Sequence, residues 1–286
     1  MLSNEPDDLT DRYRLFNAAH PVRSVAISVG GEIQQWSWIE CGNGDRAVLL
    51  LPGFMGEVNT NFLYTLALED QFRVLSVAYP PSVMTVDSLC DGIIALLEHI
   101  QVSRASVVGG SYSGYLAQVL VRRHPECVNC LVLTHTGLPA EKYARMANTF
   151  LVLARLLPAR LIRWLMQVSR HFFFPRTSHS ASFWKNHFSE VIRKQSRESM
   201  LNRFRIMRDF HRNYDLRAED LSGWTGSLLI MEMVRDGFTS SAERAAMRRV
   251  YPGARIHTFP DTNHFDSVDR PEEQITVIKE FLTQFR

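Results

Sequence analysis

Residues 107–115 have the sequence VVGGSYSGY. An apolar, β-branched pair leads into a Gly-x-Ser-x-Ser turn, and a helix-forming run follows over residues 116–123. This strand–turn–helix order is typical of a nucleophile elbow, which lifts a serine Oγ above the end of a sheet. Such a sharp turn needs small residues two positions before and after the serine, and Gly109 and Ser113 meet that need. The segment therefore predicts Ser111 as a nucleophile.

A serine hydroxyl needs a base and an orienting acid, and the sequence offers both after later strands. Asp236 follows the apolar run 227–233, and His264 follows the alternating run 254–259. A neutral imidazole can take the serine proton, and a carboxylate can hold that imidazole in one tautomer. We therefore predict His264 as the base and Asp236 as the acid. In isolation, Asp236 would also suit a helix N-cap, and His264 a surface loop.

Three other acids are weaker partners for His264. Glu232 lies inside the predicted strand, and Asp261 and Asp266 are too close to His264 in sequence to orient its ring.

Two backbone amides are candidates for stabilising an oxyanion. The N–H of Tyr112 directly follows the nucleophile, as the elbow requires. A second strand, residues 46–51, runs into the turn Pro52-Gly53-Phe54-Met55-Gly56, and the Phe54 N–H is the predicted second donor. The same residues are also compatible with an ordinary strand-to-helix turn.

The strand pattern predicts an α/β fold. Eight segments have strand character: 22–29, 33–41, 46–51, 72–78, 105–109, 130–135, 227–233 and 255–259. Most gaps between them hold one helix, which predicts a mostly parallel eight-stranded sheet with helices on both faces. Residues 137–222 are helical in pattern and form a predicted cap inserted before the penultimate strand. Residues 1–136 and 223–286 then form the main domain.

The chain resembles the α/β-hydrolase superfamily over residues 25–285, and within it the maspardin-like branch and its bacterial relatives. The supporting stretches are Leu51-Pro52-Gly53, Tyr79-Pro80-Pro81, 89–92, 96–99, 109–112 and 116–118. The resemblance implies a serine hydrolase that cleaves a carboxylic ester or related acyl compound. Common relatives have His-Gly where this chain has Pro52-Gly53.

Two alternatives to an esterase remain open. The maspardin-like resemblance also implies a binding or scaffold protein that keeps the fold without turnover. The same three residues could instead serve a thioesterase, an acyl transferase or a C–C bond hydrolase, because fold and triad do not specify a substrate.

Composition is ordinary for a globular protein, with 286 residues, 45% hydrophobic and 22% charged. The acidic N-terminus, residues 1–8, has no apolar core, so we predict no signal peptide. The sequence also has no uninterrupted run of eighteen apolar residues, so we predict no membrane span. Four cysteines, including Cys127-x-x-Cys130, lack the partners of a zinc or redox site, which favours a reducing cytoplasm. No metal, cofactor or nucleic-acid motif is present, and the oligomeric state is not predicted.

Charge is distributed unevenly. Residues 137–222 hold 16 Lys and Arg against 7 Asp and Glu, a net charge of +9, which leaves −7 for the rest of a chain whose total is +2. Within this basic segment, five apolar residues share one helical face (Leu161, Trp164, Leu165, Val168 and Phe172), and four polar ones share the other (Arg160, Arg163, Gln167 and Arg170).

Two interpretations of this segment compete. Its apolar faces either pack on the main domain and line its pocket, or the basic segment docks on anionic lipid or receives an acidic, acyl-bearing substrate. Either interpretation predicts a pocket rich in Phe, Leu, Trp and Met that receives a small molecule with an apolar acyl group.

Overall fold

The computed structural model describes residues 8–173 and 180–284. Within them the chain forms eight strands: β1 Arg23–Val29, β2 Glu32–Cys41, β3 Ala47–Leu50, β4 Arg73–Ala78, β5 Ala105–Gly110, β6 Val128–Thr134, β7 Ser227–Met233 and β8 Arg255–Phe259. All eight predicted strands are present, with ends that differ by two residues or fewer.

The described residues also form eleven helices: α1 Asp8–Ala19, α2 Phe62–Leu68, α3 Val86–His99, α4 Tyr112–Arg123, α5 Glu141–Leu156, α6 Ala159–Phe173, α7 Ala181–Lys194, α8 Arg197–Asn213, α9 Ser241–Val250, α10 Asp266–Asp269 and α11 Glu272–Gln284. Short 3₁₀ segments lie at Val58–Asn61, Pro125–Cys127 and Ala218–Leu221. None of the described helices is both long enough and apolar enough to cross a membrane.

The strands form one sheet in the order β1-β2-β4-β3-β5-β6-β7-β8. The pairs β1–β2 and β2–β4 are antiparallel, and all the others are parallel, which confirms the predicted mostly parallel sheet. The chain winds outward from β3 in one direction and from β5 in the other. The crevice between the carboxyl ends of β3 and β5 is therefore the switch point where such sheets bind ligands.

Helices cover both faces of the sheet, as predicted. Strand alternation shows this at β5, where Val107 and Val108 point to opposite sides. Val107 belongs to the apolar layer that contains residues of α3 and α4. Val108 belongs to the layer formed with Leu68 of α2 and Phe281 of α11. Burial on both faces explains why the central strands are continuous apolar runs.

Four helices, α5 to α8, lie in the chain between β6 and β7, within the segment predicted as a cap. Helix α5 packs on α8, and its small residues Ala147 and Ala154 are buried. The assignment of residues 137–222 as a cap stays a prediction.

Candidate active site

Ser111 lies at the turn between β5 and α4 and has a strained backbone. Its φ is +52° and its ψ is −119°, a conformation that costs a residue with a side chain of the order of 1–3 kcal/mol. Two hydrogen bonds hold Ser111 in this conformation. The Ser111 N–H donates to the Thr134 carbonyl at 3.0 Å, and the Thr136 hydroxyl donates to the Ser111 carbonyl at 2.8 Å. The end of β6 therefore holds the elbow in its strained geometry.

The residues around the serine are small because the turn leaves no space. A Cβ on Gly109 would lie 2.7 Å from the Ser113 carbonyl oxygen, and a Cβ on Gly114 would lie 2.5 Å from Thr136 side-chain atoms. Ser113 replaces the glycine that often closes such a turn. Its Oγ accepts from the Gly110 N–H and donates to the Gly110 carbonyl, both at 2.9 Å, so this hydroxyl braces the turn.

The structure brings the three predicted side chains into one hydrogen-bonded chain. Ser111 Oγ lies 2.8 Å from His264 Nε2, and His264 Nδ1 lies 2.9 Å from Asp236 Oδ2. Ser111 and His264 are 153 residues apart in sequence. With an ionised Asp236, the imidazole carries its proton on Nδ1 and presents the Nε2 lone pair to the serine hydroxyl.

Asp236 is held as a carboxylate. Its side chain is fully buried, and burial by itself would raise the pKa of this carboxyl. The hydrogen bond from His264, the charge of His264 and the hydrogen bond from the Phe238 N–H outweigh burial and leave the pKa below its ordinary value. Thr239 Oγ1 also donates to Oδ2, at 3.1 Å. The acid is therefore ionised and fixed in direction at neutral pH.

Asp236 does not act as a helix cap, and the three other acids considered as partners of His264 make different contacts. The N-cap of α9 is Ser240, so Asp236 does not cap that helix. Glu232 pairs with Arg248, and Asp261 pairs with Arg235 at 2.7 Å on the surface. Asp266 accepts from the backbone and side-chain amides of Asn263, so it shapes the loop that carries His264.

The turns that carry the two predicted oxyanion donors lie side by side, because β3 and β5 are neighbours. The Phe54 ring meets the Tyr112 ring edge-on, with centroids 5.4 Å apart. Tyr112 is the first residue of α4, so its N–H has no acceptor within the helix. The Phe54 N–H has no acceptor among the residues that the structure describes. The two amides remain predicted donors.

A cavity of about 710 Å³ opens beside Ser111 and His264. Its wall is mainly apolar and aromatic, and the predicted cap segment contributes ten residues: Gly137, Tyr143, Met146, Phe150, Leu165, Met166, Phe188, Ile192, Phe204 and Met207. The expected Trp is missing from the described wall. Trp184 is buried against Phe62 in another cluster, and Trp164 faces solvent.

Comparison with known proteins gives two informative sequence relatives. Maspardin of Danio rerio is 28% identical over 109 residues, which cover 37% of this chain and 34% of maspardin. The uncharacterized hydrolase YugF of Bacillus subtilis is 20% identical over 256 residues, which cover 85% of this chain and 90% of YugF. The match thus spans about a third of maspardin but most of YugF. No protein-family model matches the chain.

Several solved structures are similar in fold to this chain over nearly its whole length. A hydrolase from Pseudomonas aeruginosa PA01 superimposes with a TM-score of 0.76 at 19% identity, covering 92% of this chain and 98% of that one. The enol-lactonase of Burkholderia xenovorans LB400 has a TM-score of 0.72 at 16% identity, covering 91% and 100%. The meta-cleavage product hydrolase CumD has a TM-score of 0.69 at 18% identity, covering 92% and 98%.

The chain has the α/β-hydrolase fold. The predicted relation to maspardin-like and bacterial hydrolases is confirmed. The order Ser111, Asp236, His264 along the chain matches the order of nucleophile, acid and base in α/β-hydrolases.

One further residue, His135, lies directly after β6 and contacts His264. Its φ is +38°, and its ring lies edge-on to the His264 ring with centroids 4.6 Å apart. Its Nδ1 lies 2.9 Å from Thr134 Oγ1. Burial, followed by the charge of His264, lowers the pKa of His135 well below 6.5. His135 is therefore a neutral neighbour of His264.

Arg203 of α8 lies behind the predicted oxyanion turn and was not identified from the sequence. It is 2% exposed, its Nη2 donates to the Tyr79 carbonyl at 2.7 Å, and its Nε and Nη1 have no partner among the described residues. A Cβ on Gly56 would lie 2.7 Å from Nη2. A buried positive charge this close to the turn favours negative charge nearby. Only its position in the tertiary structure distinguishes it from the other basic residues of the insert.

One group among the described residues has metal-ligand spacing. Ligand atoms of His20, Cys41 and Glu69 all lie within 4.8 Å of one another. Both His20 nitrogens are already in hydrogen bonds, to the Phe16 carbonyl and to Glu69. Burial, with a hydrogen bond and charge from Glu69, raises the pKa of the Cys41 thiol to about 12. This engaged and protonated group suits a hydrogen-bond cluster better than a metal site, and it lies at the opposite end of the sheet from Ser111.

Proposed function

We propose that this protein is a serine hydrolase that cleaves a carboxylic ester or a related acyl substrate. The observation that carries the proposal is the continuous hydrogen-bonded chain from Ser111 through His264 to Asp236 beside an apolar cavity. Such a chain converts a weakly acidic hydroxyl into a nucleophile. Its members are matched in type, order and distance to that task.

The proposed reaction has two halves. His264 takes the Ser111 proton as Oγ attacks the substrate carbonyl, and the amides of Phe54 and Tyr112 stabilise the oxyanion. His264 then returns the proton to the leaving group, which leaves an acyl-enzyme. In the second half, His264 takes a proton from water as the water attacks the acyl carbonyl, and then gives that proton to Ser111 Oγ as the bond to the acyl group breaks and the acid product leaves. Each step moves one proton and requires no cofactor.

The cavity supports an apolar acyl group. Its volume of about 710 Å³ is within the range of small-molecule sites. Side chains of the insert, including Phe150, Leu165 and Met207, form much of its wall. We propose that residues 137–222 act as a cap over the active site and select substrates by acyl shape.

The cysteines are unpaired, which supports the expected reducing, cytoplasmic compartment.

Labelling with a fluorophosphonate probe tests the nucleophile. Wild-type protein should label, with the adduct mapped to Ser111, and Ser111→Ala should not label. Ser267 lines the same cavity, so Ser267→Ala is the matched control and should retain the label. A p-nitrophenyl ester series of increasing chain length should then show turnover that depends on Ser111, with a loss of roughly 10⁴–10⁶-fold in kcat for Ser111→Ala. Labelling that survives Ser111→Ala would refute the assignment.

A second candidate function, supported by the maspardin similarity, is a binding protein that keeps the fold without turnover. Folded wild-type protein that neither labels nor turns over any ester would favour it. The structural likeness to an enol-lactonase and to a meta-cleavage product hydrolase also keeps lactones and C–C bonds among the candidate substrates. A panel of esters, thioesters, lactones and vinylogous diketones, each compared by kcat/KM, separates these chemistries.

A further inference from the structure

Two helices of the insert present apolar side chains to solvent. Apart from Val152, the exposed large apolar residues of α5 and α6 are Met146, Leu153, Leu156, Trp164, Leu165 and Val168, and we call these six the α5–α6 surface. Leu156 is 81% exposed and Trp164 is 57% exposed. Monomeric proteins rarely leave clustered large apolar side chains uncovered unless the patch binds something.

The α5–α6 surface adjoins the cavity. Met146 and Leu165 line the cavity wall, yet they are 51% and 41% exposed. A residue that both lines a cavity and faces solvent lies at its mouth. Leu153 follows Met146 by two helical turns on the same face of α5, and Val168 follows Leu165 by one turn on α6. The apolar surface therefore extends outward from the entrance through which a substrate reaches Ser111.

Trp164 and Val168 of α6 face solvent. Ile162, nearly opposite Trp164 on the helix, is fully buried in a cluster with Leu151 and Met200. The expectation that the face with Trp164 and Val168 packs on the main domain is therefore wrong for these two residues. The side chains of Phe172 and Arg170 lie outside the described residues.

The basic residues near the α5–α6 surface indicate a negatively charged partner. Between Glu141 and Glu190 the sequence has eight Lys and Arg and no Asp or Glu. Two of these basic residues, Arg155 and Arg160, are exposed beside the apolar residues, one on each helix. Apolar side chains with a central Trp, flanked by arginines in a stretch of sequence without acids, match the interface of a bilayer with anionic headgroups.

We propose that the α5–α6 surface docks on anionic lipid bilayers and turns the mouth of the cavity toward the membrane. Docking would let an acyl chain move from the bilayer into the cavity without crossing water. The substrate class is then an acyl ester held in a membrane. The docking stands on the surface alone, whereas this substrate class also rests on the proposed hydrolase function.

Vesicle flotation tests the docking with the intact chain. Wild-type protein should float with vesicles of phosphatidylcholine mixed with phosphatidylglycerol at low salt, and should bind vesicles of phosphatidylcholine alone much more weakly. The double variant Arg155→Glu/Arg160→Glu should bind the anionic vesicles at least about 30-fold more weakly, because each surface cation contributes several-fold to such binding. The double variant Arg14→Glu/Arg249→Glu changes charge equally outside the insert and should bind like wild type.

A separate variant tests how much the apolar side chains contribute to vesicle binding. Trp164→Glu should reduce flotation, whereas Ile33→Glu, at an apolar residue 75% exposed on β2, should not. Wild-type protein that stays unbound from anionic vesicles at low salt would overturn the proposal, and so would insert variants that float like wild type.

Two further assays separate this proposal from the hydrolase proposal. Ser111→Ala should float like wild type, since docking does not use the nucleophile. Trp164→Glu should hydrolyse a soluble short-chain ester at the wild-type rate but lose activity on vesicle-borne esters. Flotation without any ester turnover would support docking and count against the hydrolase.

Discussion

Replacing Asp236 by Asn tests the proposed mechanism at its most buried member. The Asp236 oxygens accept from three donors: His264 Nδ1 at 2.9 Å, Thr239 Oγ1 at 3.1 Å and the Phe238 N–H at 2.7 Å. An asparagine has one acceptor oxygen, so its NH₂ group must face either His264 or the Phe238 N–H. If the NH₂ faces His264, the ring takes the other tautomer and presents Nε2–H to Ser111.

In that tautomer His264 cannot accept the serine proton. The variant loses general-base catalysis, and the imidazolium that forms during the reaction also loses its counter-charge. We expect kcat to fall by about 10⁴-fold, or about 5.5 kcal/mol of activation free energy, with little change in KM.

The assay is steady-state hydrolysis of a p-nitrophenyl ester, with circular dichroism and thermal unfolding to confirm the fold. Asp261→Asn is the matched control. Its carboxylate lies on the surface in an ion pair with Arg235, and exposed pairs contribute about 0–1 kcal/mol, so kcat should stay near wild type. A folded Asp236→Asn protein whose kcat lies within about tenfold of wild type would refute this reasoning.

Three further predictions concern stability. The free energy of unfolding of Ser111→Gly should exceed that of Ser111→Ala by about 1–2 kcal/mol, because glycine relieves the strained φ of +52°; an alanine variant at least as stable would contradict this. Gly114→Ala should lower the free energy of unfolding by about 1–3 kcal/mol and abolish labelling by the fluorophosphonate probe, because its Cβ would lie 2.5 Å from Thr136. Gly253→Ala is the control, since a Cβ there would have nothing within 4 Å. Equal stability of the two variants would refute the steric argument. Burial lowers the pKa of His211 to about 4, so its contribution to stability is complete above its ordinary value of 6.5 and is lost as pH falls toward 4. Urea unfolding across that window should be less steeply pH-dependent in His211→Asn, by up to ~1.4 kcal/mol per pH unit, and parallel curves would exclude this residue as a source.

Local patterns were sufficient to predict the elements and the residue types of the site. Alternation and buried apolar runs indicate strands because side chains point to opposite faces of a sheet every second residue. The elbow at Ser111 is visible because a strained turn admits only small neighbours. Helix α1 was not predicted, although its Phe16 is buried against the main domain.

The sequence by itself determined the order of strands and helices, the position of the elbow, and the presence of a base and an acid after later strands. Only the tertiary structure decided that His264 Nε2 lies within 2.8 Å of a serine 153 residues away, and that Arg203 is buried while Trp164 is exposed. The reason is physical. Periodicity depends on neighbours a few residues apart, so it shows that a helix has an apolar face. What covers that face, and which distant side chains meet, depends on how the elements pack.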